Sequence, residues 1–226
     1  LWFGTRVGVA RFTGTSWTAF TAGDTLRCSL GPATMDANGD LWLGSFDGGD
    51  CAFGQQFSFA RFDGVRWSFF PRDLAPGFHS GIRAIRGDGR GNVWAIGTYG
   101  ELLRYDGSNW SILSEPGRPP TYVQLQNVIE DRNGRLWFTT LGYGVYVHDP
   151  IGGSWRQFTA ADGLPFTTVN SILADRDGRV WFGSYSDGLA VYDGAQWKTI
   201  HRSDGLGSDL VAQLVQDRLG RIWVSH

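Results

Sequence analysis

Residues 169–206 read VNSILADRDGRVWFGSYSDGLAVYDGAQWKTIHRSDGL, and this stretch decides the fold. Four short apolar segments follow one another in it, at Val169–Asp175, Val180–Ser184, Gly188–Asp193 and Gln196–Ile200. Short apolar or alternating runs separated by turn residues predict β-strands. We name these strands A, B, C and D, and we expect each to pair with the next in an antiparallel sheet.

The turns between these strands have a repeated chemistry. An Asp-x-x-Gly turn precedes strand B at Asp36, Asp88, Asp131, Asp175 and Asp217. An Asp-Gly pair joins strands C and D at residues 63–64, 106–107 and 193–194. Glycine adopts a positive φ without steric cost, and the Asp carboxylate can accept hydrogen bonds from backbone N–H groups of the turn. We therefore interpret the recurrent aspartates as turn residues rather than metal ligands.

Tryptophan shows that the unit is repeated. The eleven Trp residues fall into two registers, and the first register has intervals of 40, 52, 43, 44 and 42 residues. The strands B begin near residues 1, 41, 93, 136, 180 and 222. We expect all eleven rings to be structural, packed between neighbouring sheets: Trp2, Trp42, Trp94, Trp137, Trp181 and Trp223 in strand B, and Trp17, Trp67, Trp110, Trp155 and Trp197 in strand D.

A four-stranded unit of about 43 residues is typical of one propeller blade. The sequence thus predicts an all-β chain, a single β-propeller over residues 1–226 with about five blades and one additional strand B. This count favours a fragment of a six- or seven-bladed ring. Exposed blade faces and strand edges associate readily, so other domains of the parent chain or another subunit are expected to cover the open ends.

Composition excludes two kinds of partner. The 226 residues carry a net charge of −2, and charged residues make up 19%. A nucleic-acid-binding protein usually shows a clustered excess of Lys and Arg. We therefore expect that the chain does not bind nucleic acid. No apolar run reaches the roughly 18 residues of a membrane span, so we expect no membrane insertion by this segment.

These phrases resemble the regulator-propeller repeat of two-component sensors. The matching residues are Leu136–Thr140, Asp162–Leu164, Val169–Ile172, Val180–Ser184 and Asp204–Leu206. The resemblance implies an extracytoplasmic propeller, periplasmic or extracellular, that senses a ligand, often a polysaccharide fragment, and signals to an attached effector such as a kinase. The streptogramin-lyase type of propeller is a second resemblance, limited to Asp-x-x-Gly-x-(Leu/Ile)-Trp.

The D–A and B–C loops are expected to share one face and to hold the variable, ligand-binding residues. Aromatic side chains stack on sugar rings while polar groups bind hydroxyls, although these rings could equally cap the sheets as packing. The candidates in these loops are the aromatic Phe46, Tyr99, Tyr143 and Tyr185 and the polar Arg6, Arg27, Asp47, Asp50, Gln55, Gln56, Asp187 and His201.

Cys28 lies just before strand A of the second unit, and Cys51 lies just after its strand B, within a long B–C insertion. Neighbouring antiparallel strands would place both thiols on one face, so a disulfide is predicted, with two unpaired thiols as the alternative. A disulfide implies an oxidising compartment.

Catalytic patterns are missing from the sequence. The four His residues occupy unrelated positions of the repeat, and neither Cys-x-x-Cys nor Gly-x-Ser-x-Gly occurs. We expect a binding module with no catalytic residue, cofactor or metal. Three functions stay open: a sensor module that binds carbohydrate or another small ligand, a structural or assembly component of a surface or multi-subunit complex, and a propeller lyase or hydrolase.

Overall fold

The computed structural model describes residues 1–5, 8–21, 30–45, 57–71 and 73–226. These residues form 21 strands in six sheets, and every strand pair is antiparallel. The helices among them are two 3₁₀ turns, Ala160–Asp162 and Arg202–Asp204. The predicted all-β architecture is therefore confirmed. The chain divides into two compact units, Leu1–Leu113 and Ser114–His226.

The first unit contains three sheets, and within each the strands pair in chain order. The first sheet has three described strands and the other two have four. The strands are β1 (Trp2–Thr5), β2 (Gly8–Phe12) and β3 (Trp17–Thr21), then β4 (Leu30–Met35), β5 (Leu41–Ser45), β6 (Phe57–Phe62) and β7 (Trp67–Pro71), then β8 (Ile82–Gly87), β9 (Val93–Gly97), β10 (Leu102–Tyr105) and β11 (Trp110–Ile112).

The second unit contains two four-stranded sheets and one two-stranded sheet, again in chain order. The strands are β12 (Leu125–Glu130), β13 (Leu136–Thr140), β14 (Val145–Asp149) and β15 (Ser154–Phe158), then β16 (Ser171–Ala174), β17 (Val180–Gly183), β18 (Leu189–Tyr192) and β19 (Trp197–Ile200), then β20 (Gln213–Gln216) and β21 (Ile222–Ser225).

Tryptophan rings fill the space between neighbouring sheets inside each unit. In the first unit, Trp42 is fully buried and its ring lies 4.8 Å from that of Tyr105 in the next sheet. In the second unit, Trp137 is fully buried and lies 5.7 and 5.8 Å from Phe182 and Tyr192 of the next sheet. Rings of this size bury about 150–250 Å² each, so they dominate the contact between sheets.

Two Trp residues depart from this pattern. Trp17 is 61% exposed and Trp223 is 57% exposed, whereas the prediction places all eleven rings between sheets. Trp17 lies in the three-stranded sheet and Trp223 in the two-stranded sheet. An indole is covered only where strands of a neighbouring sheet reach it, and the rings that contact Trp17 are Phe3 and Phe12 of its own sheet.

The A–B turns show why Asp and Trp recur six residues apart. One Asp131 oxygen accepts hydrogen bonds from the backbone N–H groups of Asn133 and Arg135, at 2.9 and 3.0 Å. The other accepts the indole N–H of Trp137, at 2.8 Å. The same indole bond, at 2.8–2.9 Å, is made by Asp36–Trp42, Asp88–Trp94, Asp175–Trp181 and Asp217–Trp223. The carboxylate thus fixes the turn and the ring together.

Successive A–B turns of the second unit are also linked to each other. Arg132 donates through Nη1 to the carbonyl of Arg176, at 3.4 Å. Arg176 in turn donates through Nη1 to the carbonyl of Arg218, at 2.9 Å. Each link joins residues 44 or 42 positions apart, which is one repeat. The guanidinium groups therefore tie each turn to the main chain of the next.

Candidate ligand-binding site

The B–C hairpins carry the described part of the predicted ligand site. Tyr99, Tyr143 and Tyr185 lie in these hairpins and are 78%, 44% and 54% exposed. A polar side chain fixes the backbone under each tyrosine, and a different residue does so in each hairpin. Seven of the predicted ligand-site residues lie outside the described residues: Arg6, Arg27, Phe46, Asp47, Asp50, Gln55 and Gln56. Both cysteines of the predicted disulfide, Cys28 and Cys51, also lie outside them.

A carboxylate fixes the hairpin of Tyr99 in the first unit. Glu101 accepts hydrogen bonds from the hydroxyl of buried Ser80 at 2.9 Å and from the backbone N–H of Tyr99 at 3.3 Å. The Gly97 N–H also bonds to the Glu101 carbonyl, at 2.8 Å. The Tyr99 ring thus projects into solvent from a backbone that is held at several points.

A threonine hydroxyl fixes the hairpin of Tyr143 in the second unit. Thr140 is fully buried, accepts the N–H of Tyr143 at 3.0 Å and donates to the carbonyl of Gly144 at 2.7 Å. The side chain of Gln157 donates to the Tyr143 carbonyl at 2.8 Å. Gly144 has φ +76°, and a Cβ there would collide with the carbonyl oxygen of Phe158, so the hairpin needs glycine at this position.

Two further tyrosines gather around Tyr143. Tyr122 comes from segment 114–124, is 71% exposed, and packs edge-on against Tyr143 with ring centroids 6.0 Å apart. Tyr146 is buried on β14, opposite Gln157 of β15. Burial raises the pKa of the Tyr146 phenol above its usual range, and the phenols of Tyr122 and Tyr143 raise it further. We call Tyr122, Tyr143 and Tyr146 the tyrosine cluster.

The hairpin of Tyr185 is more polar. Buried Ser184 accepts hydrogen bonds from the N–H groups of Ser186 and Asp187, both at 3.2 Å, and donates to the Asp187 carboxylate at 3.0 Å. The imidazole of His201 lies 3.9 Å from Asp209. Gly188, which ends the hairpin, lies beside the side chains of His201 and Asp209. The structure therefore brings Asp187 and His201 to the same end of this sheet.

The sequence prediction missed three residues of the tyrosine cluster region: Tyr122, Tyr146 and Gln157. Tyr122 lies in segment 114–124, whose Glu-Pro-Gly-Arg-Pro-Pro run departs from the Asp-Gly-Leu pattern at residues 162–164 and 204–206. Tyr146 and Gln157 follow strand alternation, which places them on one face but gives no sign of a role. A search for aromatic residues in all D–A loops would have found Tyr122.

Two negative findings apply to the described residues. They contain no group of three or more His, Cys, Asp or Glu side chains arranged to hold a metal ion. They also contain no helix long and apolar enough to cross a bilayer.

Comparison with known families agrees with the repeat seen in the sequence. The model of the family described as "Two component regulator propeller" matches residues 163–186. This range includes the turn of Asp175, strand B with Trp181, and the first part of the hairpin of Tyr185. No curated protein matches the chain.

Solved structures show the same fold over nearly the whole chain. The extracellular domain assigned to the hybrid two component system BT3049 of Bacteroides thetaiotaomicron has a TM-score of 0.75 at 21% identity, over 99% of this chain and 30% of that one. The corresponding domain of BT4673 from the same organism has a TM-score of 0.68 at 17% identity, over 99% and 29%. This chain thus spans about 30% of the length of those domains.

An enzyme shares the fold as well. Virginiamycin B lyase from Staphylococcus aureus has a TM-score of 0.69 at 15% identity, over 99% of this chain and 72% of that one. At these identities the likeness concerns the backbone arrangement, and the repeat match adds the type of repeat. The chain therefore has a β-propeller fold and carries a repeat of the two component regulator propeller family, as its sequence motifs predicted.

Proposed function

We propose that the chain is the ligand-binding part of an extracytoplasmic sensor, and that the tyrosine cluster binds carbohydrate. One observation carries the proposal: Tyr143 and Tyr122 are exposed, in contact with each other, and supported by a backbone that Thr140 and Gln157 fix. An aromatic surface that is ordered before binding loses little entropy when a ligand stacks on it.

Two features of the tyrosine cluster support carbohydrate as the ligand class, and the comparisons support the sensor role. Tyrosine rings offer apolar faces to the C–H groups of a sugar, and their hydroxyls can bond to sugar hydroxyls. Tyr143 and Tyr122 point two such rings toward solvent at one end of the sheet. The matched repeat and the neighbours named as extracellular domains of a two component system support a sensor outside the cytoplasm.

The attached partners are part of the same proposal. Because the chain spans about 30% of the similar extracellular domains, we propose that further domains of a longer protein, or another subunit, adjoin it and carry the signal onward. The fold also occurs in a lyase, but the contact that carries the proposal joins two exposed tyrosine rings, which suit the stacking of a ligand. Binding is therefore the function we favour over catalysis.

Calorimetry with a panel of neutral oligosaccharides tests this function. We expect one member of the panel to bind, and Tyr143→Ala or Tyr122→Ala to weaken its binding about tenfold, since one stacking contact contributes about 1–1.5 kcal/mol. Ile151→Ala is the matched control, because Ile151 is 79% exposed at a C–D turn. Binding that survives both tyrosine substitutions, or a panel with no binder, would contradict the proposal.

A further inference from the structure

Segment 114–124 joins strand D of one repeat to strand A of the next and reads SEPGRPPTYVQ. Within the second unit its side chains contact the sheet β12–β15 near both ends of the segment. Near its start, Glu115 and Gly117 lie against Trp155. Near its end, Tyr122 packs against Tyr143. The segment therefore connects the tyrosine cluster to a second group of side chains on the same sheet.

That second group consists of Glu115, His148 and Trp155. The indole N–H of Trp155 donates to the Glu115 carboxylate at 3.2 Å. The imidazole Nε2 of His148 lies 3.8 Å from the same carboxylate, and the imidazole ring stacks on Trp155 with centroids 4.4 Å apart. The His148 side chain is 2% exposed and that of Glu115 is 34% exposed. A titratable ring thus lies buried between an indole and a carboxylate.

This arrangement of Trp155 differs from that of other strand D tryptophans. The indole nitrogens of Trp67, Trp110 and Trp197 are buried without a hydrogen-bond acceptor. Trp155, by contrast, donates its indole N–H to the Glu115 carboxylate. The contact of Glu115 is therefore specific to this repeat and does not follow from the general pattern.

Segment 114–124 has little conformational freedom between Glu115 and Tyr122. Proline at positions 116, 119 and 120 fixes φ, which limits the conformations between Glu115 and Tyr122. The Val123 N–H donates to the Pro120 carbonyl at 2.9 Å, and the Val123 side chain is buried. A chain that is stiff between two anchor points carries a change at one anchor to the other.

We propose that Glu115 is a positioning residue for the tyrosine cluster, and that protonation of His148 strengthens the contact by which Glu115 fixes segment 114–124. When the imidazole is protonated, it attracts the Glu115 carboxylate in addition to the Trp155 N–H. When it is neutral, that attraction is lost and the indole N–H holds Glu115 without it. The segment and Tyr122 are thus fixed more firmly at pH values at which His148 carries its proton.

The charged residues next to His148 on its own strand and beside it on the neighbouring strands have hydrogen-bond partners of their own. On its own strand, Asp149 is the next residue and accepts the N–H of Ile151. From β13, the residue paired with His148 is Leu136, preceded by Arg135, which is bonded to Asp131. From β15, the paired residue is Trp155, followed by Arg156, which is bonded to Asp162. Glu115 is thus the carboxylate that faces the ring from segment 114–124.

Hydrogen exchange of the Val123 amide, measured without ligand and corrected for intrinsic rates, tests the proposal. We expect its protection to be about threefold to fivefold greater at pH 5.5 than at pH 8, the size of effect that a partly exposed ion pair gives. Glu115→Gln keeps an acceptor for Trp155 but removes the charge, so it should abolish the pH dependence. The same loss is expected in His148→Gln.

The controls separate this effect from general stability. His226→Gln removes a histidine of the same unit near the end of the sequence, where its ring contacts the Leu210 carbonyl, and should leave the pH dependence unchanged. Since His148 is buried, circular dichroism must show that His148→Gln is folded; if it is not, Glu115→Gln decides. Equal protection at both pH values in the unmodified chain, or a pH dependence that persists in Glu115→Gln, would overturn the proposal.

The proposal rests on the proposed function only in its consequence for ligand binding. If the oligosaccharide panel contains a binder, its affinity should rise about threefold to fivefold from pH 8 to pH 5.5 and lose this dependence in Glu115→Gln. Exchange results as expected with no binder in the panel would contradict the carbohydrate proposal alone. Binding with no pH effect on exchange would contradict only the role of Glu115 and His148.

Discussion

In both units an arginine guanidinium lies over the ring of the strand B Trp, but the arginine comes from a different position of the repeat in each unit. In the first unit, position four after the turn aspartate is Asp40 or Asn92, and the guanidinium over the Trp ring comes from strand C, from Arg61 or Arg104. In the second unit, the turn itself supplies that guanidinium, while strand C offers valine opposite the Trp. The second-unit residues are Arg135, Arg179, Val147 and Val191.

The distance from the guanidinium carbon to the Trp ring centroid is nearly the same in the two units. The guanidinium carbon lies 5.5 and 5.6 Å from the ring centroids of Trp42 and Trp94 in the first unit. It lies 5.7 and 5.4 Å from those of Trp137 and Trp181 in the second. The repeat therefore conserves a cation over the indole face and an acceptor beside it, rather than the chain position from which either comes.

The largest expected effect tests the carboxylate that both units share. Asp131→Ala removes the acceptor of the buried Trp137 indole and of two backbone N–H groups, and leaves Arg135 unpaired. We expect a loss of about 2–4 kcal/mol in the free energy of unfolding, measured in urea. Asp217→Ala removes the same bonds around the exposed Trp223 and should cost far less. Equal losses would mean that burial does not set the strength of this contact.

A smaller effect is expected from exchanging the two arrangements. Arg61→Val in the first unit leaves the buried carboxylate of Asp40 without its cation and should cost about 1–3 kcal/mol. Adding Asp40→Arg recreates the arrangement of the second unit, so we expect the double variant to recover about half of the loss. A double-mutant cycle in urea measures this coupling. A double variant with the sum of both single losses would show that the two arrangements are not interchangeable.

The smallest effect concerns pH in the second unit. Burial alone would raise the pKa of Asp175, but hydrogen bonds from Trp181 and from the backbone and side chain of Arg179 outweigh it and hold the pKa below its usual value. A carboxylate with a lowered folded-state pKa stabilises the fold above its ordinary pKa near 3.8, and this stability is lost as the pH falls through the folded-state value.

Asp175→Asn should therefore flatten the loss of unfolding free energy below about pH 4, measured by urea unfolding at a series of pH values. Asp177→Asn is the matched control for the loss of a negative charge beside Arg179, because the exposed Asp177 carboxylate lies 2.9 Å from the same guanidinium. If the unfolding free energy of Asp175→Asn falls equally steeply below about pH 4, other carboxylates determine this loss.

The sequence predicts those features that every repeat needs. Asp, Gly and Trp recur because the turn and the inter-sheet space are alike each time, so strand order and turn positions could be inferred. The cation over each indole could not, because Arg61 and Arg135 occupy different positions of the repeat. Tyr122 was missed because its contact with Tyr143 arises from a loop that departs from the repeat.

The exposure of Trp17 and Trp223 has a different reason. Their local sequences match those of buried tryptophans, yet burial depends on strands of a neighbouring sheet rather than on the local pattern. The same limit applies to the tyrosines of the B–C hairpins. Their positions were inferred from the repeat, and Thr140 and Ser184 share the position three residues after the strand B Trp, but the Glu101 carboxylate under Tyr99 has no counterpart in those two hairpins.

The links from Arg132 to the Arg176 carbonyl and from Arg176 to the Arg218 carbonyl have an evolutionary consequence. Every amino acid presents a peptide oxygen, so the acceptor survives any substitution in the receiving turn. A newly duplicated copy could dock against its predecessor at once, with no compensating change required. Gene duplication could thus lengthen such an array first and diversify its loops afterwards.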